Sequence, residues 1–282
     1  MPNVHCLPSS LLRVILYAGG EGDNPFVINP ARYDPSKVVP YVFMSSKPRV
    51  LCCKGSSAGT VPHRFICVDV VVVIDCHVVN STHLYRDPSK VVKQLIASPL
   101  RGEHERAAGF FGTVFGQGAL GYNTYGIVNG DMKVDGISYR TFITNTAAVT
   151  QSSNSGMGFT PGKGRAKGQS SQTRVAPVPS RSLLDMREKT TWSYTDNIGV
   201  WDAREYFRAD KPEELVYRHE NFMSLPVCSE DLRFGDIALA YYCVSSYQAN
   251  TGERQAFSEA KTAISHNLYG IALLARREDS AW

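Results

Sequence analysis

Three short motifs in the 282-residue chain have the residue types of known catalytic or phosphate-binding loops. Gly116–Gly121 matches the GxGxxG dinucleotide pattern, Gly55–Gly59 matches the GxSxG pattern of a nucleophilic serine, and Gly162–Gly164 places a lysine between glycines. The first two patterns function only where a strand leads into a helix. Poor helix formers follow the first motif, Pro62 follows the second, and the third lacks the required upstream glycine. We therefore predict a glycine-rich strand end or bulge for the first motif, a small-residue turn for the second and a solvated basic loop for the third.

Histidine and cysteine spacing gives no metal-binding or redox motif. The seven histidines form no HExxH or HxH pattern, and the seven cysteines form no CxxC pair. We expect reduced thiols packed as small apolar groups, with disulfides left open for an assembly that meets an oxidising environment. We predict no catalytic residue, no metal and no cofactor. A serine hydrolase using Ser57 is the least favoured alternative.

The 14 tyrosines offer a different chemistry, which responds to alkali. A phenol is neutral at pH 7 and ionises near pH 10, so tyrosines packed between chains would attach them at neutral pH and repel in base. Ionising every tyrosine and cysteine would change the net charge from +4 to about −17 before any lysine is neutralised. The alternative is core aromatics that ionise only on unfolding. The preferred contact candidates are Tyr122, Tyr125, Tyr139, Tyr241, Tyr242 and Tyr247.

Composition and patterning indicate one globular domain over residues 1–282. The chain is 43% hydrophobic and 20% charged, as in ordinary globular proteins. The expected class is α+β and mainly β, as an antiparallel β-sandwich with flanking helices. The apolar run Phe65–Val79 is too short and too charged to cross a membrane, so we expect no membrane partner.

The strand predictions depend on β-branched runs and turn residues. Arg64–Val79, with four consecutive valines, is the densest signal and predicts a central strand whose aspartates need partners or bends. Tight turns are predicted at Asn129-Gly130 and Asp135-Gly136. The remaining predicted strands are a hairpin of Leu11–Tyr17 with Phe26–Asn29, then Val42–Cys53, Phe110–Phe115, Tyr125–Val128, Ile137–Ile143 and Leu268–Ala275.

Capping residues predict the helices. Asp87 and Pro88 suit a helix start, which predicts a helix to about Ala97. The same hexapeptide, Asp-Pro-Ser-Lys-Val-Val, occurs at Asp34–Val39, where Pro40 would stop a helix almost at once. Further predicted helices are Ser182–Lys189, Asp210–Asn221 and Asp236–Tyr247, and Glu103–Arg106 is predicted to be a solvated helical face.

The segment Thr150–Ser180 is rich in serine, glycine and basic residues, which predicts a flexible insertion or an arm ordered by a partner. Its cations could contact phosphates or a nucleotide. An alternative function is therefore a viral coat or nucleic-acid-binding β-sandwich protein. The cations concerned are Lys163, Arg165, Lys167 and Arg174.

Three stretches, in the same order along the chain, resemble the cypovirus polyhedrins. Val14–Asn29 is similar to the first hairpin of that family, ending in Val-Ile-Asn, and Val134–Phe142 is similar to a central strand pair. Asp236–Leu239 with Tyr242-Cys243, followed by Ile264–Leu273, resembles the end of the family's chain.

The resemblance implies a viral structural protein that forms the crystalline matrix of occlusion bodies. Such proteins are β-sandwiches that trimerise, crystallise around virus particles in the cytoplasm of the infected host cell, and dissolve in alkali. Partners would be other copies of the chain, virus particles and, in some members, nucleotides. The family's long N-terminal helix has no counterpart before Leu11, and Thr150–Ser180 is longer than its equivalent, so lattice contacts would differ.

Overall fold

The computed structural model describes residues 14–15, 17, 19, 26–43, 48–54, 62–84, 87–100, 102–129, 132–141, 144–145, 191–207, 217–248 and 262–277. The described chain is mainly β, and its strands form one 12-stranded sheet. Helix α1 spans Glu103–Phe115, and short 3-10 helices span Pro35–Lys37, Arg204–Phe207 and His219–Ser224. The strands are β1 (Val27–Ile28), β2 (Val38–Tyr41), β3 (Arg49–Cys53), β4 (Ile66–Leu84), β5 (Asp87–Pro99), β6 (Leu120–Tyr122), β7 (Thr124–Asn129), β8 (Met132–Arg140), β9 (Thr144–Asn145), β10 (Val200–Asp202), β11 (Ile237–Gln248) and β12 (Thr262–Ala275).

Five long strands close the sheet into a barrel. β4 pairs with β5, β5 with β8, β8 with β12, β12 with β11, and β11 returns to β4. The β8–β12 step is parallel and the other four steps are antiparallel. Closure removes sheet edges from the core of the fold. The predicted mainly-β class is confirmed, and the described strands close on themselves within one sheet.

The apolar run that contains the four valines forms β4, as predicted. Val71 and Val73 are fully buried, and β4 pairs with β5 on one side and β11 on the other. β-Branched side chains are well suited to such a pleated setting. Asp75 lies where the β4–β5 register shifts and is 3.3 Å from the His77 ring, so this aspartate is accommodated at a bend.

A second layer covers the outer side of β11 and β12. β10 pairs in parallel with β12, which brings Trp201 against Phe222 with ring centroids 4.7 Å apart. Phe222 in turn stacks on Tyr241 at 4.2 Å. Ten consecutive residues from Ile237 are therefore buried, because the barrel interior covers one face of β11 and this layer covers the other.

Two of the predicted helices are strands, and this part of the prediction is wrong. Asp87–Ala97 lies in β5 and Asp236–Tyr247 lies almost wholly in β11. Each sequence is a buried strand of a closed barrel, where pairing on both sides overrides capping residues and helix propensity.

Three β predictions are also wrong. Phe110–Phe115 belongs to α1, where Phe110, Phe111 and Phe115 lie on the buried side. Val14 and Ile15 are helical, so they do not form the first strand of a hairpin. Asp135-Gly136 lies inside β8 because Gly136 packs against Ile74 and Ile96 of neighbouring strands, with no room for a side chain.

Other predicted elements are confirmed in position. β3 falls within Val42–Cys53, and β12 contains Leu268–Ala275. β7 and β8 form a hairpin in which Asn129 pairs with Met132, as the Asn-Gly turn predicts. The predictions for Ser182–Lys189, for most of Asp210–Asn221 and for Thr150–Ser180 lie outside the described residues.

Candidate functional site

A carboxylate from β4 lies at the centre of a hydrogen-bonded cluster within the barrel. Asp69 Oδ2 accepts a hydrogen bond from Tyr242 Oη at 2.7 Å and one from Tyr139 Oη at 3.0 Å. Both tyrosines are fully buried, and their rings meet edge to face at 5.1 Å. Three barrel strands, β4, β8 and β11, are therefore joined through one carboxylate.

A buried histidine from β12 completes this cluster. The His266 ring lies 5.0 Å from Tyr242, 5.2 Å from Tyr139 and 5.9 Å from Tyr122 between ring centroids. Phe111 of α1 approaches the same ring at 6.1 Å. His266 is 2% exposed and its Nδ1 has no hydrogen-bond partner among the described residues.

A small cavity separates the cluster from helix α1. Asp69, Tyr122 and His266 line its inner side, and Glu103 and His104 of α1 line its outer side. The cavity leaves about 20 Å³ for the centre of a water molecule, and one water needs roughly 10–15 Å³ measured in this way. No organic substrate fits in this space.

An ion pair attaches α1 over the cavity. Arg32 Nε donates to Glu103 Oε2 at 3.2 Å, and Arg106 Nη1 lies 3.2 Å from Glu103 Oε1. Glu103 and Glu105 lie in the first turn, where carboxylates complement the helix dipole. The helical face predicted at Glu103–Arg106 is confirmed, but only Glu105 and Arg106 are exposed.

Burial changes the protonation chemistry of the cluster. It raises the pKa of Asp69 to about 6, although the hydrogen bonds from Tyr242 and Tyr139 oppose the change. Burial, together with the charge of Asp69, holds the pKa of both tyrosines well above the usual value. Burial, with a smaller effect of His104, lowers the pKa of His266 to about 3. The histidine is therefore neutral and the tyrosines keep their protons at pH 7.

A second cluster lies on the opposite face of β11. Tyr241 Oη is hydrogen-bonded to Tyr217 Oη and to His219 Nδ1, each at 2.8 Å. Burial lowers the pKa of His219 to about 4 and raises that of Tyr217. Neighbouring residues of β11 thus supply both clusters, because side chains alternate across a strand and Tyr242 faces the barrel interior.

Buried thiols form a third ionisable group. Burial raises the pKa of Cys52 and of Cys243 to about 12, and in Cys52 the nearby Cys243 adds to the effect. The pKa values of Cys67, Cys76 and Cys228 are raised by burial as well. All six described cysteines are free thiols, and Cys52, Cys67, Cys76 and Cys243 are buried.

The structure divides the six tyrosine candidates into interior and surface positions. Tyr139, Tyr241 and Tyr242 have 0% exposure and lie within the chain's own core, so they cannot themselves touch a second copy. This corrects the idea that they are packed between chains. Tyr122 and Tyr125 are partly buried, and Tyr247 is 38% exposed near the end of β11. Tyr122, Tyr139 and Tyr242 come together, while Tyr241 lies apart from them.

The motif predictions have mixed outcomes. Gly116–Gly121 follows the end of α1, with Gly116 as its C-cap at φ +65°, and leads into β6. A glycine run that ends a helix cannot place phosphates at a helix start. The strand end or bulge predicted for this run is instead a helix C-cap followed by the start of β6. Gly55–Gly59 and Gly162–Gly164 lie outside the described residues, as do Lys163, Arg165, Lys167 and Arg174.

The part of the chain that the structure describes has neither a cluster of metal ligands nor a helix able to cross a membrane. Within it, no three His, Cys, Asp or Glu side chains are grouped to hold a metal ion. No helix in these ranges has the length and apolarity needed to cross a membrane.

Sequence reasoning missed Asp69, His266 and His219 as members of clusters. One signal was present, because an aspartate in the middle of an apolar strand needs a partner. The identity of that partner depends on strand order, since Tyr139 is 70 residues away and Tyr242 is 173 residues away along the chain.

Comparison with protein-family models, with characterised proteins and with solved structures gives no match.

Proposed function

We propose that this chain is a self-assembling structural protein of the polyhedrin kind, which forms the matrix of viral occlusion bodies and comes apart in alkali. The proposal includes no catalytic role. Its partners would be copies of itself, as trimers packed in a lattice, and virus particles, in the cytoplasm of the infected host cell. The β-sandwich with flanking helices and the nucleotide binding of some members belong to the same resemblance and are proposed only with it.

One observation carries the proposal: the core and the layer packed against it hold many groups that are neutral at pH 7 and acidic in alkali. Five tyrosines and five cysteines have pKa values raised mainly by burial. The tyrosines are Tyr122, Tyr139, Tyr217, Tyr242 and Tyr269, and the cysteines are Cys52, Cys67, Cys76, Cys228 and Cys243.

The sign of the pH effect follows from the direction of these shifts. A tyrosine or cysteine whose pKa is raised in the folded state stabilises the fold at a pH below its unfolded value. That stability is lost as the pH rises above about 10 for tyrosine or about 8.5 for cysteine. Each group removes about 1.4 kcal/mol per pH unit in this range. A protein with ten such groups is stable at neutral pH and unfolds in strong base.

If these groups determine the response to alkali, a high pH acts on the interior of each chain and not on the contacts between chains. Assemblies would then dissolve because their subunits unfold, and surface tyrosines would contribute little. Tyr247 and Tyr125 are the candidates outside the core by which the two mechanisms can be separated.

The test is expression of the full chain in insect cells, followed by microscopy and an alkaline wash. We expect micrometre-scale crystalline inclusions that dissolve between about pH 10 and 11. The variant carrying Tyr125→Phe and Tyr247→Phe should dissolve at the same pH, because the buried groups are unchanged. A chain that stays soluble and monomeric in these cells would contradict the proposal. Salt-dependent RNA binding by such a soluble chain would support the coat-protein alternative instead.

A further inference from the structure

The cavity between α1 and the barrel is lined by two residues that each carry a buried polar atom without a partner among the described residues. Tyr122 Oη and His266 Nδ1 are both buried, and neither has a hydrogen-bond partner among the described residues. Both residues line the cavity beside Asp69. Tyr139 and Tyr242 both donate to Asp69 Oδ2, and Oδ1 accepts no hydrogen bond from the described residues.

Leaving such groups unpaired in a core is unfavourable. A buried donor or acceptor without a partner costs about 1–3 kcal/mol, and native cores rarely contain two in one place. Only 2% of the surface of His266 is exposed, so bulk water does not reach its ring. A bound molecule in the cavity would remove the cost for both groups.

We propose that this cavity is a binding site for one water molecule, which bridges Tyr122 Oη and His266 Nδ1 beside the Asp69 carboxylate. The water accepts a hydrogen bond from the Tyr122 hydroxyl. It donates one to Asp69 Oδ1 and forms one with His266 Nδ1, as donor or acceptor according to which ring nitrogen of the neutral imidazole carries the proton. Water alone supplies both donors and an acceptor within this volume.

Other small ligands fit the site less well. Calcium and magnesium ions take six or more oxygen ligands, and here Tyr122 and Asp69 are the residues with an oxygen not already engaged. Among the other polar lining side chains, Asn29 bonds to Ile15 and Ala31, and Glu103 bonds to Arg32. His104 lines the outer side and offers no oxygen ligand. An organic ligand exceeds the about 20 Å³ that is open.

The bridging water would join three strands of the sheet beneath α1. Tyr122 precedes β7, and its ring lies 5.3 Å from His104 of α1 and 5.9 Å from His266 of β12. A water held by Tyr122, His266 and Asp69 therefore links β6, β12 and β4 beneath the helix.

A crystal structure of the full chain at 1.5 Å resolution or better tests the site directly. We expect one well-ordered density peak with contacts of about 2.6–3.2 Å to Tyr122 Oη and His266 Nδ1. A cavity without density would overturn the proposal. A peak with five or more oxygen ligands at metal-like distances would also overturn it, because that peak would be a cation.

Paired variants give a second measurement. Tyr122→Phe removes the hydroxyl and should abolish the peak or reduce its occupancy at least about twofold, with the remaining fold unchanged. Tyr125→Phe is the matched control, because Tyr125 is a partly buried neighbour outside the cavity lining, and it should leave the peak unchanged. An unaltered water in Tyr122→Phe would contradict the assigned bridge. If Tyr122→Phe does not crystallise, the unmodified chain alone decides.

Discussion

Asp69 shows how one residue can link distant parts of the chain and set a pH response. It follows an apolar stretch of β4 and receives two tyrosine hydroxyls from β8 and β11. Its raised pKa, about 6, means that the folded state keeps the proton to a higher pH than the unfolded chain does. The stability contributed by this proton is complete below about pH 4 and is lost as the pH rises through about 6.

The substitution Asp69→Asn tests this linkage. An amide cannot ionise, so the free energy of unfolding of the variant relative to the unmodified chain should rise between pH 4 and pH 7. The pH-dependent part of the gain should reach at most about 3 kcal/mol, and any constant cost of the amide adds the same offset at every pH. Urea unfolding of the dilute chain at four pH values in this range measures it.

Glu230→Gln provides the control, because Glu230 is an exposed carboxylate 3.5 Å from Arg233. Its difference from the unmodified chain should not vary with pH by more than a few tenths of a kcal/mol. A constant difference for Asp69→Asn across the range would show that the carboxyl group is not perturbed in the fold.

The hydrogen bond between Tyr242 and Asp69 gives a second residue-level prediction. Tyr242→Phe leaves the buried carboxylate with one tyrosine donor and should cost about 1.5–3 kcal/mol at pH 7. In an Asp69→Asn background the same change should cost less, because no buried charge depends on the hydroxyl. Equal costs in the two backgrounds would contradict the pairing. Tyr247→Phe at the surface should change stability by less than about 0.5 kcal/mol.

At the scale of elements, identical sequences adopt different structures. Asp34–Val39 begins with a 3-10 turn capped by Asp34, whose carboxylate accepts from the Ser36 amide at 2.9 Å. The same six residues at Asp87–Val92 are extended in β5, where they pair with β4 and β9. Capping chemistry predicted the first copy. In the second copy, pairing with β4 and β9 determines the extended structure. The six residues themselves give no signal of that pairing.

The features that could be predicted are those that depend on local sequence, and the features that depend on strand order could not be predicted. Runs of valine and Asn-Gly turns indicate the structure of the residues next to them in sequence, so β4 and the β7–β8 hairpin were predictable. The clusters around Asp69 and Tyr241 depend on barrel closure and on the layer that covers β11. The tyrosine content indicated an alkaline response, but one strand position decides whether a tyrosine faces the interior, as Tyr241 and Tyr242 show on opposite faces.

The packing of β12 against its covering layer depends on one glycine. A Cβ on Gly270 would lie 2.6 Å from Trp201 Cζ3 and 3.0 Å from Phe222 Cε2. Gly270→Ala should therefore destabilise the fold by about 1–3 kcal/mol through overpacking. Gly109→Ala, in α1 with no atom within 4 Å of the added Cβ, should stabilise by up to about 1 kcal/mol. Thermal unfolding measures both, and equal effects would contradict the tight contact.

At the scale of the whole molecule, the buried groups define a window of stability. The pKa values of His219 and His266 are lowered to about 4 and about 3, so the stability they contribute is present above about pH 6.5 and lost as the pH falls through those values. The tyrosines and cysteines limit the window in base. The seven buried ones among them together remove on the order of 10 kcal/mol per pH unit above about pH 10, which is comparable with the total stability of a domain.

We propose that alkali acts on the interior of each chain, and one titration distinguishes this from an effect at contacts between chains. The dilute, unassembled chain is taken from pH 8 to pH 12 at two protein concentrations, with tyrosinate absorbance and near-ultraviolet circular dichroism recorded together. We expect cooperative loss of the fold between about pH 10 and 11, independent of concentration, with the buried tyrosines ionising in the same transition. A native spectrum that persists at pH 12, or full tyrosine ionisation while the fold is retained, would contradict it.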